Sequence, residues 1–300
     1  MLNGRAADWA DLVRLPSVLT VPGDVLLGSF ATGSVRPLRL TAARTAGSCC
    51  VYSAGMALND YADRAVDARE RPSRPIPSGR VAPGEALAVA GALFAAGLVA
   101  SGAGGGWRSL RVCGAMAAVA AAYDLWAKDT RLGPAALACA RFLDVMHGAG
   151  AVGARRALAP AAVMAAHTLG VGVVSRREVE GAGAGLPAAA LAGTAAVAAG
   201  AARVARAAIG RRPVGAGRAG GRIAATVALG AFAGNLTRAQ AAAVRSPGPA
   251  ELQRVVGAGV LGMVPLQAGM LAGLAPPPVP AGLAGAWLAA RRLAARRPVT

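Results

Sequence analysis

The sequence predicts an all-α, polytopic membrane protein, a bundle of about nine transmembrane helices that forms one domain over residues 1–300. The first indication is composition: 55% of the 300 residues are hydrophobic, 15% are charged, and the mean hydropathy is +0.48. This is too apolar for an ordinary soluble domain of this length. The second is that apolar stretches of about 20 residues, enough to cross a bilayer, recur along the whole chain. The third is that small residues such as Gly and Ala dominate these stretches, and small residues allow close helix packing in lipid.

The predicted spans follow one another through short polar connections. They cover residues 15–34, 38–58, 83–102, 107–126, 132–152, 157–175, 186–209, 222–240 and 252–274. The stretch 281–297 carries Arg291, Arg292, Arg296 and Arg297 at helical spacing, which predicts an interfacial helix; a last span after "PPPVP" is the alternative. Since no connection is long enough to separate domains, we expect a single domain.

The net charge of +18 indicates a lipid partner rather than a nucleic acid. Arginines lie at the ends of apolar segments, which is typical of membrane anchoring, and no basic stripe with interleaved aromatic residues is present. The polar connections that begin near residues 59, 127, 175 and 241 follow every second span. We therefore expect them to share one side of the membrane.

A charged stretch, "ALNDYADRAVDARERPSRPIPSGRV", follows the second span. Asn59, Asp63 and Asp67 are four residues apart, and Asp60 and Asp67 are seven apart, so a continuing helix would place all four on one stripe. Neighbouring carboxylates repel one another, and a divalent cation resolves that repulsion. The four residues are therefore predicted to hold Mg²⁺, which prefers carboxylate, water and phosphate oxygens. The alternative is a solvated loop that only marks the membrane edge.

Three prolines follow the acidic residues and are predicted to end the helix: Pro72, Pro75 and Pro77. They hold Arg71 and Arg74 in an extended loop beside the carboxylates. Guanidinium groups suit phosphate oxygens. Acidic side chains, Mg²⁺ and arginines together predict a diphosphate site.

The motif pair resembles the UbiA superfamily of intramembrane prenyltransferases. "NDYADRAVD" matches the N-D-x-x-D-x-x-x-D motif of that superfamily, and "RPSRPIPSG" resembles the sequence that follows it in many members. Within the superfamily the chain resembles a bacterial branch related to EboC-like proteins. The resemblance implies a helical bundle open laterally to lipid, in which Mg²⁺ grips a prenyl diphosphate, the allylic C–O bond ionises, and an acceptor is alkylated. It also implies a position in the bacterial inner membrane, with the active-site loops on the cytoplasmic side.

The end of the fourth span, "YDLWAKDT", adds three candidates. Asp124 and Lys128 are four residues apart, and Lys128 is the only lysine of the chain. Members of the family commonly have a Tyr and a Lys here, so the resemblance implies that Tyr123 and Asp124 bind substrate and that Lys128 meets the diphosphate. Together with Asp60 and Asp63, Lys128 is predicted to be catalytic. The alternative for Asp124 and Lys128 is a weak interfacial salt bridge.

Ionisable residues also lie inside the predicted membrane segments. Arg141, Asp144 and His147 are three residues apart in the fifth span, and groups at that depth normally face a cavity or each other. Both an Arg141–Asp144 ion pair and a substrate contact remain open. A single histidine in an apolar helix more often packs through hydrogen bonds than binds a metal. Asp24 in the first span has no obvious partner.

The segment after the sixth span departs from the family pattern. It has "SRREVE", with Ser175 where members typically have an Asp and Glu178 as the surviving acid. Glu178 is predicted to be a metal ligand, and Arg176 and Arg177 are predicted to bind the diphosphate in place of part of a second cation. An ordinary polar loop is the alternative. The departure also keeps open a second function, a non-catalytic or transport-type protein that binds a lipid-linked metabolite.

Overall fold

The computed structural model describes residues 4–33, 37–151 and 153–295. In those ranges every regular element is helical. The α-helices in chain order are α1 (Gly4–Leu12), α2 (Leu15–Val18), α3 (Val21–Ala31), α4 (Leu38–Ala62), α5 (Arg64–Glu70), α6 (Pro83–Leu125), α7 (Gly133–Ala149), α8 (Ala154–Ser175), α9 (Gly185–Gly210), α10 (Ala216–Arg245), α11 (Pro249–Leu274) and α12 (Pro278–Ala294).

Helices cover all nine predicted spans. Four of the described helices, α6, α8, α9 and α11, are long and apolar enough to cross a membrane, and Leu15–Ala31 forms a shorter apolar stretch. The protein is therefore a multi-pass, all-helical membrane bundle. The ends of α4, α6 and α8 meet at one end of the bundle, and this end carries the charged residues of the candidate site.

Helix α6 contains two of the predicted spans, because the chain reverses direction inside it. Gly106 has φ 66° and ψ −167°, a backbone conformation that only glycine adopts readily. The two arms then lie side by side, with Cys113 Sγ 3.5 Å from the carbonyl oxygen of Gly97. The predicted segments 83–102 and 107–126 are the arms of this helical hairpin.

Helix α11 lies at the centre of the bundle. In the most apolar stretch of α11, 78% of the residues are buried, whereas the same fraction is 22% for α6 and 22% for α9. It packs against α3, α8, α9, α10 and α12. A central position explains why α11 is apolar on all sides.

The C-terminal helix α12 packs along α11 and reaches α2, the short helix that follows Arg14. Leu283 and Ala290 are buried, and Trp287 packs against the main core. With 17 residues, α12 is about 26 Å long. This is shorter than the roughly 20 residues of a full span, so the interfacial helix and the last span both remain predictions. Arg296 and Arg297 lie outside the described residues.

Candidate active site

A cavity of about 310 Å³ lies among α4, α6, α7, α8 and α11. This volume is at the lower limit for ligand cavities in proteins. Its charged end is lined by Arg14, Asn59, Asp63, Arg71, Arg74, Tyr123, Asp124, Lys128, Ser175 and Glu178. Its apolar walls include Val51, Met56, Met116, Val119, Leu137, Val256, Val260 and Met263. Such a cavity suits a molecule with an anionic head and a hydrocarbon tail.

The first acidic motif divides between two faces. Asn59 and Asp63 face the cavity, whereas Asp60 and Asp67 do not line it and both contact Arg74. The stripe is also interrupted, because α4 ends at Ala62 and Asp63 has φ −86° and ψ 0°. Asn59 and Asp63 line the cavity, and Asn59 Nδ2 donates a hydrogen bond of 3.1 Å to Asp63 Oδ2.

Asp60 and Asp67 instead bind buried arginines. Arg74 Nη1 lies 2.6 Å from Asp67 Oδ2 and 3.3 Å from Asp60 Oδ1. Each of the two aspartates is only 2% exposed. Burial lowers the pKa of the Arg74 guanidinium, as does the nearby charge of Arg14, whereas Asp60 and Asp67 raise it. Arg74 thus lies between the cavity and the two carboxylates that neutralise it.

The predicted magnesium ligand set of Asn59, Asp60, Asp63 and Asp67 is therefore not assembled in the structure. Across the described ranges, no group of three or more His, Cys, Asp or Glu side chains is placed to hold a metal ion. The physical reason is that arginine and lysine side chains relieve the repulsion between these carboxylates. The sequence argument considered only a metal ion for that role.

Arg14 belongs to the site and was missed by sequence reasoning. Its Nη2 donates to Asn59 Oδ1 at 3.0 Å and to Asp60 Oδ1 at 2.9 Å. Its backbone is left-handed, with φ 50° and ψ 57°, which is uncommon for a residue with a side chain. An Arg before an apolar span is indistinguishable from a membrane anchor, so no local signal identifies it.

Lys128 pairs with Asp63 rather than with Asp124. Helix α6 ends at Leu125, and Lys128 lies in a 3-10 turn, Ala127–Asp129, so the helical spacing assumed for the pair does not apply. Lys128 Nζ donates to Asp63 Oδ1. Asp124 Oδ1 is buried and has no hydrogen-bond partner within the described part of the chain. The alternative of an Asp124–Lys128 salt bridge is thus not the pair that forms, and both residues line the cavity together with Tyr123.

The second motif joins the first through an ion pair. Arg71 Nη2 donates to Glu178 Oε1 at 3.0 Å, and this bond ties the proline-rich loop to the segment that follows α8. Ser175 and Glu178 both line the cavity. The second carboxylate oxygen of Glu178, Oε2, is buried and finds no partner among the described side chains.

The prediction that Arg176 and Arg177 bind the diphosphate is not supported, since neither lines the cavity. Arg176 Nη1 donates to the carbonyl oxygens of Lys128 and Thr130. Arg177 forms an exposed ion pair of 2.9 Å with Glu180. Both side chains leave the helix end on the side away from the cavity. The arginines that line the charged end are Arg14, Arg71 and Arg74.

Arg141 is paired with Asp24 in the deeper part of the site. Its Nη1 donates to Asp24 Oδ2 at 2.5 Å, and Gln267 Nε2 donates to Asp24 Oδ1 at 2.9 Å. The Arg141–Asp144 ion pair considered for the fifth span is therefore not the one that forms. Both Arg141 and Asp144 line the cavity.

The two histidines pack through hydrogen bonds, as the sequence predicts. His147 Nδ1 lies 3.0 Å from Ser48 Oγ, and its Nε2 lies 2.8 Å from Ser109 Oγ. His167 Nε2 lies 2.9 Å from the carbonyl oxygen of Gly259. These bonds hold α7 to α4 and α6, and α8 to α11.

The fold and the site together define an intramembrane helical bundle with a cavity that has a charged end and apolar walls. The chain belongs to the UbiA prenyltransferase family, whose family model matches residues 25–254. This family membership accounts for the motif pair and for the way the helices surround one cavity.

Curated relatives match shorter parts of the chain. The digeranylgeranylglyceryl phosphate synthase of Natronomonas pharaonis is 35% identical over 95 residues, which is 32% of this chain and 34% of the relative. The protein of the same name from Methanospirillum hungatei JF-1 is 49% identical over 101 residues, 32% of this chain and 33% of the relative. The matched region thus spans about a third of the length of these relatives.

Two solved structures share the fold. A UbiA homologue from Aeropyrum pernix K1 in its apo form has a TM-score of 0.62 and 18% identity, over 85% of this chain and 96% of the other. A structure described for a digeranylgeranylglyceryl phosphate synthase in membranes has a TM-score of 0.59 and 16% identity, over 90% and 98%. At such low identity the likeness concerns the fold alone.

Proposed function

We propose that the protein is a membrane prenyltransferase that moves a prenyl group from a prenyl diphosphate to an acceptor. The observation that carries the proposal is one cavity with apolar walls and a charged end formed by Arg71, Arg74, Lys128 and Asp63. Membership of the UbiA prenyltransferase family and the names of the curated relatives support it. The hydrocarbon chain contacts the apolar walls, and the diphosphate lies at the charged end.

The reaction needs no protein nucleophile. The bond between the allylic carbon and the diphosphate oxygen breaks, and the electron pair leaves with the diphosphate. The acceptor atom then bonds to the allylic carbon and loses its proton. Arg71, Arg74 and Lys128 stabilise the charge that develops on the leaving diphosphate, and fixed cations in a site sheltered from water are effective in this role. Asp60 and Asp67 are positioning residues, because they hold Arg14 and Arg74 in place.

The same proposal includes Mg²⁺, on which members of this family generally depend. Asp124 Oδ1 and Glu178 Oε2 are buried oxygens that no described side chain satisfies, and hard oxygen donors are the ligands that Mg²⁺ prefers. Asp124 and Glu178 would offer these two oxygens to the ion, and water and diphosphate oxygens would complete its shell. When bound, Mg²⁺ supplies further neutralisation of the diphosphate oxygens.

The acceptor and the orientation belong to the same proposal. The names of the relatives make an isoprenoid glyceryl phosphate with a free hydroxyl the first acceptor to test. We also propose that the protein lies in the bacterial inner membrane with the charged end of the cavity toward the cytoplasm, where prenyl diphosphates are available.

The test measures Mg²⁺-dependent diphosphate release by the purified full chain in nanodiscs, with prenyl diphosphates of several lengths and an acceptor panel. Asp63→Asn is expected to abolish turnover because Asp63 lies at the charged end beside Lys128. Asp129→Asn is the matched control: it is exposed, lies in the same turn as Lys128, and does not line the cavity. Full activity of Asp63→Asn would refute the proposal. Prenyl diphosphate binding without release under any acceptor would support the non-catalytic alternative.

A further inference from the structure

The connection between α9 and α10 carries an unusual concentration of one charge. Between residues 203 and 222 the sequence has six arginines and neither Asp nor Glu. We call the six the arginine collar: Arg203, Arg206, Arg211, Arg212, Arg218 and Arg222. Helix α9 begins after the Glu178 segment and ends at Gly210, so the collar lies at the end of the bundle opposite the candidate active site.

Helix length places the collar at the level of the lipid head groups. The apolar part of α9 before Arg203, residues 185–202, is about 27 Å long, which by itself nearly matches a hydrocarbon core of about 30 Å. Helix α10 has 30 residues and so is about 45 Å long, with Arg218 and Arg222 in its first turns. The parts of α9 and α10 that extend beyond the hydrocarbon core therefore carry the arginines.

The collar is held in a defined position. Arg212 Nη2 donates to the carbonyl oxygen of Ala275 at 2.6 Å, which ties the hairpin to the end of α11. A Cβ atom at Gly221 would lie 3.1 Å from the carbonyl oxygen of Ala272, so α10 and α11 also pack closely here. Arg203, Arg206, Arg211 and Arg222 remain exposed around this fixed point.

Several arginines at the other end of the bundle have acidic partners. Arg71 pairs with Glu178, Arg177 with Glu180, and Arg254 with Glu251. In the described residues no collar arginine forms an ion pair. Exposed guanidinium groups so close in the sequence repel one another, and anionic groups outside the chain relieve that repulsion.

We propose that the arginine collar binds the phosphate groups of anionic phospholipids. A guanidinium fork matches phosphate oxygens, and basic side chains near a membrane surface are attracted to anionic lipid head groups. The end of α9 and the start of α10 present these charges at the same end of the bundle. The interaction concerns the face opposite the catalytic cavity and does not depend on the proposed activity.

The experiment uses the purified full chain in nanodiscs of phosphatidylcholine with a minor fraction of phosphatidylglycerol. After the protein is extracted, native mass spectrometry counts the phosphatidylglycerol molecules that remain bound to it. The collar variant combines Arg203→Gln, Arg206→Gln, Arg211→Gln and Arg222→Gln. The control combines Arg64→Gln, Arg69→Gln, Arg177→Gln and Arg254→Gln, which removes the same charge from exposed positions at the other end. Retention by the collar variant is expected to fall on the order of tenfold or more, and retention by the control to stay near the wild-type value.

Two results would overturn the proposal: equal retention by the collar variant and the wild type, or no preference of the wild-type chain for phosphatidylglycerol over phosphatidylcholine. A thermal midpoint in pure phosphatidylcholine shows whether each variant is folded. If the fourfold variant does not fold, the pair Arg203→Gln and Arg206→Gln is measured against Arg203→Lys and Arg206→Lys. The lysine pair keeps the charge and should retain more phosphatidylglycerol than the glutamine pair; equal retention by both pairs would also contradict the proposal.

Discussion

Each carboxylate of the first acidic motif contacts a cation at the charged end of the cavity. Arg14 and Arg74 bind Asp60, Arg74 binds Asp67, and Lys128 binds Asp63. The basic side chains that line the cavity are therefore held in place before the substrate binds. Such preorganisation is what a site needs if it stabilises charge in a transition state.

Two arginines near Glu178 are expected to differ in their effect on substrate binding. Arg71 lines the cavity and contacts Glu178, whereas Arg177 pairs with Glu180 at the exposed surface. Loss of one charge-assisted contact costs about 1.5–3 kcal/mol, so Arg71→Ala should weaken prenyl diphosphate binding roughly 10- to 150-fold. Arg177→Ala should change it by less than about twofold, since exposed ion pairs contribute little. Titration of both variants with a prenyl diphosphate measures this, and equal losses in both would contradict the assignment of Arg71 to the site.

The crossing of α3 and α7 positions the deeper polar residues. A Cβ atom at Gly28 would lie 1.8 Å from the carbonyl oxygen of Val145, and one at Gly148 would lie 2.1 Å from that of Val25. Two backbones can approach this closely only where both helices have glycine. The same crossing allows Arg141 of α7 to reach Asp24 of α3.

The close contact between α3 and α7 therefore requires glycine at residue 28. Gly28→Ala forces the backbone of α7 to move and should destabilise the bundle by about 1–3 kcal/mol or more, as overpacking does. Gly193→Ala in α9 is the matched control, since a Cβ there meets nothing within 4 Å. Thermal unfolding in one detergent compares the two variants with the wild type. An unchanged midpoint for Gly28→Ala would show that the crossing is looser than described.

The two ends of the bundle carry different groups of charged residues. The proline-rich loop, the turn of Lys128 and the Glu178 segment lie at one end, and the arginine collar lies at the other. Helix α12 packs against α11 and α2, and we therefore expect the described C-terminal end to lie on the side of the active-site loops.

Topology mapping tests this arrangement. In a cysteine-free background, Ser73→Cys, Ser246→Cys and Ala295→Cys should react with a membrane-impermeant thiol reagent from the same side. Val214→Cys, at an 88% exposed position of the α9–α10 connection, should react only from the opposite side. Labelling of residues 73 and 246 from different sides would refute the order of spans. Labelling of residue 295 together with residue 214 would show that α12 does not cross.

The sequence by itself determined the membrane class, the helical segments and the motif pair, because hydropathy and helical spacing are local properties of the chain. Most predicted site residues do meet in one cavity: Asn59, Asp63, Arg71, Arg74, Tyr123, Asp124, Lys128, Arg141, Asp144 and Glu178. Local spacing was sufficient here because the motifs lie at helix ends that the alternating spans bring to the same side.

Only the tertiary structure decided which charges meet. Arg14 reaches Asn59 across 45 residues of sequence, and Arg71 reaches Glu178 across 107. The break at Asp63 and the end of α6 at Leu125 changed the side-chain directions that an ideal helix would give Asp67 and Lys128. Arg176 and Arg177 do not line the cavity because they follow the end of α8, where the direction of a side chain depends on how the following turn packs. Packing between segments that are distant in the sequence determines which charged residues pair, and local sequence patterns do not contain that information.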